Sequence, residues 1–138
     1  FKTPAFRKSE REAMEYAGHW LEQVNLKEFA NRPAGTLAYG QQRRLEIARC
    51  MMTRPRILML DEPAAGLNPR ETEDLKALIG VLRNEHNATV LLIEHDMKLV
   101  MSISDHIVVI NQGCPLADGT PAQIRDNPEV IKAYLGEA

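Results

Sequence analysis

A short apolar run that ends in two adjacent acids constrains the fold of this chain more than any other feature. Residues 57–60 read Ile-Leu-Met-Leu without polar alternation, which is typical of a strand covered on both faces in a parallel α/β sheet. Asp61 and Glu62 follow directly, and Pro63 favours the end of the strand. Open α/β sheets bind ligands at the carboxyl ends of their strands, so both acids are candidate site residues.

The two acids suit a site that handles phosphate groups. There Asp61 can hold Mg²⁺ and Glu62 can polarise an attacking water molecule. The alternative is a buried strand that merely ends in a charged turn. The apolar run and the Asp-Glu pair do not separate these alternatives, so the flanking residues have to.

A second apolar run, residues 89–93, also ends in polar side chains, which here are Glu94, His95 and Asp96. Two neighbouring strands with acid or His at their carboxyl ends predict a shared site, although a single His at a strand end is more often structural. Between the runs, Asn68, Pro69 and Glu71 have the pattern of a helix start: a cap, a first-turn proline and an acid at the third position.

A glycine-bearing loop, residues 36–41, precedes a predicted helix over residues 42–52. A helix N-terminus offers free backbone N–H groups and a positive dipole end, which suit a phosphate. Gly40 removes a side chain where a phosphate would approach. The alternative is an ordinary helix start preceded by glycine, which is common.

The remaining pattern predicts short helices and a hairpin. Ser9 and Glu12 have the spacing of a capping box and predict a helix over residues 9–24. The further elements are a short helix at residues 97–102, a strand at 106–110 with a return strand at 114–117, and short helices that begin at Thr120 and Asn127.

Composition excludes several classes of function. The 17 basic and 19 acidic residues nearly balance, which argues against a nucleic-acid partner and against attraction to an anionic membrane surface. Cys50 and Cys114 have neither metal spacing nor a disulfide framework, which favours a cytosolic protein. The apolar runs are too short to span a bilayer. Because the chain begins at Phe1 without a methionine, we expect it to be a piece of a longer one.

Four motifs together resemble those of ATP-binding-cassette (ABC) ATPases. In chain order, Leu-Ala-Tyr-Gly-Gln at residues 37–41 is similar to the LSGGQ signature, and residues 57–62 are similar to Walker B with the catalytic glutamate. Ala-Gly-Leu-Asn at residues 65–68 is similar to the D-loop, and His95 is similar to the switch histidine. The closing segment, from residue 94 to Ala138, is similar to the ATPase subunit of branched-chain amino acid importers. An ATPase of lipopolysaccharide export ends similarly and stays an alternative.

The resemblance implies a role for each matching residue. Asp61 would hold Mg²⁺, Glu62 would orient or activate the hydrolytic water, and His95 would contact the γ-phosphate. The signature residues would close over ATP held by a second subunit, and the D-loop would lie along the same dimer seam. The residues implied in nucleotide binding are Leu37, Ala38, Tyr39, Gly40, Gln41, Gly66, Leu67 and Asn68.

Two departures from the family pattern matter. Ala38 and Tyr39 stand where the signature usually has Ser and Gly, so the hydroxyl that would bond the γ-phosphate is missing. No Gly-x-x-x-x-Gly-Lys-Ser/Thr occurs in the chain, so the phosphate-cradling loop is absent from it. We therefore expect these residues alone to be inactive.

The resemblance implies an α/β fold: a partial P-loop NTPase (RecA-like) parallel sheet with part of the ABC helical subdomain. Residues 1–54 would be the partial helical subdomain and residues 55–138 the C-terminal part of the ATPase core. The implied ligands are ATP and Mg²⁺, and the implied partners are a second ABC ATPase subunit, identical or not, and transmembrane permease subunits. The implied location is the cytoplasmic face of the inner membrane. The alternative from another class is a non-catalytic binding module that presents the signature to a partner's ATP.

Overall fold

The computed structural model describes residues 3–135, which form two compact units. The first ends at Ile93 and the second begins at Glu94. The predicted boundary after residue 54 comes from the resembled family rather than from compactness, and it stays a prediction. The parts of the sequence predictions that concern Phe1 and residues 136–138 lie outside the described residues.

The first unit combines three helices with a parallel strand pair. Its elements are α1 (Pro4–Gln23), two 3₁₀ turns (Lys27–Phe29 and Ala34–Thr36), α2 (Tyr39–Met51), β1 (Ile57–Asp61), α3 (Pro69–Asn84) and β2 (Thr89–Ile93). Strands β1 and β2 pair in register from Ile57 opposite Thr89 to Asp61 opposite Ile93. A parallel pair needs a crossover connection, which α3 provides. The predicted α/β class with a parallel sheet is confirmed.

Two helices begin earlier than the sequence pattern predicts. Helix α1 begins at Pro4, because Thr3 Oγ1 accepts a hydrogen bond from the backbone N–H of Phe6 at 3.2 Å. The predicted start at Ser9 is therefore wrong, since proline in the first turn extends the helix toward the N-terminus. Helix α2 begins at Tyr39, so part of the predicted glycine-bearing loop is already helical.

The parallel pair is covered on one face only. Leu58 is buried, whereas Met59, the next residue along β1, is 70% exposed. Ile57 and the β2 residues Leu91 and Ile93 are also exposed, and together with Met59 they form one apolar face. The prediction of a strand covered on both faces is wrong for this chain, because none of the described elements buries that face.

The second unit is an antiparallel hairpin with short helices. Its elements are α4 (Met97–Ile103), β3 (Ile107–Asn111), β4 (Cys114–Gly119), α5 (Pro121–Arg125), α6 (Pro128–Val130) and a π-helical turn (Ile131–Leu135). Gln112 and Gly113 turn the hairpin with φ values of 49° and 79°. Its small core consists of Ile107, Val109, Ile124 and Val130. The predicted hairpin and short helices are confirmed. Within residues 3–135, no helix combines the length and apolarity that crossing a membrane requires.

Candidate functional site

The two candidate acids lie where the sequence predicts them, at the carboxyl end of β1. Asp61 is the last residue of the strand and is exposed. Glu62 follows, and its backbone N–H donates to the carbonyl of Ile93 at 2.9 Å, one bond beyond the regular ladder. The Glu62 carbonyl accepts from the N–H of Ala65 at 3.1 Å, which starts the turn into the next loop.

Glu62 has a left-handed backbone, which its sequence context does not reveal. Its φ is +43°, a region where a side chain with a Cβ costs about 1–2 kcal/mol. Strained backbone of this kind persists where surrounding hydrogen bonds impose it, and it is concentrated at functional sites. Here the bonds to Ile93 and Ala65 impose it, which adds structural support to the predicted importance of Glu62.

The residues present fit a magnesium ion that is shared with phosphate oxygens. Within the described part of the chain, no group of three or more His, Cys, Asp or Glu side chains could form a metal cage. Mg²⁺ commonly binds through one or two carboxylates, with phosphate oxygens and water completing its octahedron. The exposed carboxylate of Asp61 suits that shared arrangement.

The signature segment, residues 37–41, starts helix α2. Gln41 Oε1 accepts from the backbone N–H of Ala38 at 2.9 Å, and Gln42 Nε2 donates to the carbonyl of Leu37 at 2.9 Å. These bonds fix the backbone of Leu37 and Ala38, the two residues that precede the helix. Ala38 is the N-cap but has no side-chain acceptor, so it does not cap the first N–H groups of α2. Those groups keep the capacity to bind an anion.

Gly40 lies against a carboxyl group of this chain. The residue is buried, and a Cβ built on it would lie 2.6 Å from the carboxyl carbon of Glu71. The Glu71 side chain lies in the space that the missing Cβ leaves. The approach of a phosphate to Gly40 stays a prediction.

The D-loop, residues 65–68, leads into helix α3 through a complete capping box. Asn68 Oδ1 accepts from the N–H of Glu71, and Glu71 Oε2 accepts from the N–H of Asn68, both at 3.0 Å. Gly66 has a φ of +76°, and a Cβ on it would lie 3.2 Å from the Tyr39 ring. The structure therefore brings the D-loop against the signature segment. The Asn68–Glu71 spacing signals the cap, but no sequence signal predicts the contact with Tyr39.

His95 follows β2 as predicted and belongs to the second compact unit. Its side chain is 72% exposed, and its backbone N–H donates to Glu94 Oε2 at 3.2 Å. The Glu94 side chain is nearly fully buried. Asp96 then caps helix α4 through the N–H groups of Lys98 and Leu99. The position of His95 at the end of a strand is confirmed, whereas its contact with a γ-phosphate stays a prediction.

Comparison with known proteins supports the motif assignment. The family model described as "ABC transporter" matches residues 2–65, and that described as "Branched-chain amino acid ATP-binding cassette transporter" matches residues 114–138. The chain is 90% identical over its whole length to the high-affinity branched-chain amino acid transport ATP-binding protein BraF of Pseudomonas aeruginosa. It is 69% identical over 137 residues to the corresponding protein LivG of Escherichia coli. In both cases it spans 54% of the relative, about half its length.

Solved structures agree with this result. The ADP conformation of an ATP-binding cassette of an ABC transporter superposes with a TM-score of 0.81 at 33% identity, covering 91% of this chain and 51% of the other. A nucleotide-free ATP-binding cassette gives a TM-score of 0.80 at 32% identity, with the same coverage. The ordered motifs, the family matches and these structures lead to one conclusion: the chain belongs to the ATP-binding proteins of ABC transporters.

Proposed function

We propose that this chain is the C-terminal part of an ABC ATPase subunit that couples ATP binding and hydrolysis to the import of branched-chain amino acids. The observation that carries the proposal is Glu62, which lies just beyond the carboxyl end of β1 in a strained backbone held by Ile93. The names of its relatives support the transported substrate. BraF and LivG are both branched-chain amino acid transport ATP-binding proteins.

The proposed chemistry divides between two adjacent carboxylates. Asp61, exposed at the end of β1, would hold the ion that neutralises charge on the phosphates when ATP is bound. Glu62 would accept a proton from the attacking water or orient that water in line with the γ-phosphate. His95 would donate a hydrogen bond to the γ-phosphate. The signature segment at the start of α2 would contact the ATP of a second subunit.

The proposed partners follow from the transport function. A second ATPase subunit, identical or related, would supply the phosphate-cradling loop opposite this signature segment, and permease subunits would carry the amino acid through the membrane. The subunit would then work at the cytoplasmic face of the inner membrane. These 138 residues would be inactive alone, because the phosphate-cradling motif is not among them.

Replacement of Glu62 by glutamine in the complete subunit tests the proposed catalytic role. Glu62→Gln keeps the side chain's size and the backbone, so nucleotide binding should stay within about twofold. Turnover should fall about 10²–10⁴-fold, the usual contribution of a general base. Glu85→Gln is the matched control, because Glu85 is an exposed carboxylate at the other end of α3. Normal hydrolysis by Glu62→Gln would refute the proposed role of Glu62.

Uptake by reconstituted transporter tests the substrate. Proteoliposomes with the complete complex and internal ATP should accumulate labelled leucine, isoleucine or valine in the presence of the matching binding protein. The Glu62→Gln complex in the same liposomes is the control for passive leak. ATP-dependent transport of a lipid-linked saccharide instead of amino acids would favour the lipopolysaccharide alternative.

A further inference from the structure

The signature segment and the D-loop contact each other through two crossed contacts. The ring of Tyr39, in the signature segment, lies against Gly66 of the D-loop. The carboxyl group of Glu71, just after the D-loop, lies against Gly40 of the signature segment. Gly66 of the D-loop thus meets a side chain of the signature segment, and Gly40 of the signature segment meets a side chain of the first turn of α3. All four residues belong to the same compact unit.

The Glu71 contact is tied to the D-loop by hydrogen bonds. One carboxylate oxygen, Oε2, accepts from the backbone N–H of Asn68, while the other, Oε1, is turned toward Gly40. Glu71 therefore lies in the first turn of α3 and next to the first turn of α2. Both helix N-termini favour a negative charge there, so its carboxylate stabilises the two helix starts together.

The Tyr39 contact is tied to helix α2. Arg43 lies over the Tyr39 ring at 5.1 Å, and its Nη2 and Nε donate to the tyrosine hydroxyl at 2.8 and 3.1 Å. Arg43 also donates to Glu46 at 2.9 Å. The bond to Glu46 is the largest cause that raises the pKa of Arg43 above its ordinary value, and the bond to Tyr39 is the second. The ring thus contacts both the charged guanidinium of Arg43 and Gly66.

We propose that Tyr39 and Glu71 are positioning residues that join the signature segment to the D-loop, so that both approach the neighbouring subunit as one element. The proposal rests on the proposed function, in which both segments act at the ATP-bearing interface. Tyr39 stands where the resembled signature has glycine, which cannot make this contact. The crossed contacts order both loops before ATP arrives, and preorganisation of this kind lowers the cost of assembling the interface.

Amide hydrogen exchange on the complete, nucleotide-free subunit tests the joining directly. Tyr39→Ala removes the ring, and we expect exchange of the D-loop amides to accelerate about tenfold, as for a packing contact worth about 1.4 kcal/mol. Tyr39→Phe keeps the ring but loses the bonds from Arg43, so its exchange should lie between those of Tyr39→Ala and wild type. The amides of the β1–β2 pair, in the same unit, report any general loss of stability of that unit. Unchanged D-loop exchange in Tyr39→Ala would overturn the proposal.

A double-mutant cycle tests the second contact. Gly40→Ala places a methyl group against the Glu71 carboxyl, so alone it should accelerate D-loop exchange strongly. Glu71→Ala frees the Asn68 amide and should accelerate its exchange about tenfold or more, as for a lost bond to a charged group. In the Gly40→Ala/Glu71→Ala protein the methyl group fits, so the combined effect should be several-fold smaller than the product of the single effects. If the double variant accelerated exchange by the full product of the two single effects, the proposed contact would be overturned.

Steady-state ATPase assays of the complete transporter separate positioning from general damage. Tyr39→Ala should raise the ATP concentration for half-maximal activity about tenfold while kcat stays within about threefold, and Tyr39→Phe should raise that concentration less than Tyr39→Ala does. A loss in kcat of about tenfold, as large as the change in the half-maximal ATP concentration, would overturn a positioning role. If the wild-type complex hydrolysed no ATP, the proposed function would fail, whereas the exchange results, obtained without nucleotide, would still decide whether the loops are joined.

Discussion

The strained backbone at Glu62 predicts that glycine at this position stabilises the protein more than alanine does. A residue with a Cβ at a φ of +43° costs about 1–2 kcal/mol. Glycine avoids this cost but loses about 0.5–1 kcal/mol more backbone entropy on folding. At the middle of both ranges, the net advantage of glycine over alanine is therefore about 0.75 kcal/mol. Because Glu62→Gly and Glu62→Ala both remove the carboxylate, their difference isolates the backbone.

Thermal or urea unfolding of the complete subunit measures this difference. A gain of 0.5–1 kcal/mol corresponds to about 1–4 °C in Tm for a domain of 150–250 residues. At Gln112, which has a φ of +49°, the glycine variant should likewise be more stable to unfolding than the alanine variant. Ala77→Gly, at an exposed position inside α3, should instead lower stability by about 1 kcal/mol. If Glu62→Ala were more stable than Glu62→Gly, the strain at this position would be smaller than the entropy cost of glycine, and the reasoning would be refuted.

Three further predictions concern the metal ligand, the isolated chain and the apolar sheet face. Asp61→Asn in the complete subunit should weaken Mg²⁺-dependent nucleotide binding while binding in EDTA changes little, and calorimetric titration with and without Mg²⁺ checks this. The 138-residue chain alone should neither hydrolyse ATP nor bind it tightly; a micromolar Kd with the mass confirmed would contradict this expectation. The isolated chain should self-associate through the exposed face of β1 and β2. Met59→Lys should then lower the mass measured by light scattering, whereas Met14→Lys, equally exposed on α1, should not.

Local sequence signals were sufficient for most of the secondary structure. The apolar runs became β1 and β2, and the Asn68-Pro69-Glu71 pattern became the capped start of α3. These predictions hold because the hydrogen bonds and side-chain periods that define such elements involve residues close in sequence. The capping-box spacing at Ser9 predicts the wrong start for α1, because a second local signal, the Thr3-Pro4 pair, begins the helix earlier.

The order of motifs along the chain was also sufficient to assign the family and to name the candidate acids. To name a candidate acid at the end of a strand, one needs only its residue type and its position after an apolar run, and the sequence gives both. Asp61 and Glu62 therefore lie where the sequence predicts them. The roles of these residues, like that of His95, remain predictions for the complete subunit.

Tertiary structure alone decided what surrounds the site. The strain at Glu62 arises from hydrogen bonds to Ile93 and Ala65, and the first of these partners is 31 residues away. The contact of Gly40 is likewise with a carboxylate on another helix, that of Glu71. A strand's period tells which side chains share a face, but whether another element covers that face depends on packing. Contacts between residues far apart in sequence leave no local pattern, so only the folded chain reveals them.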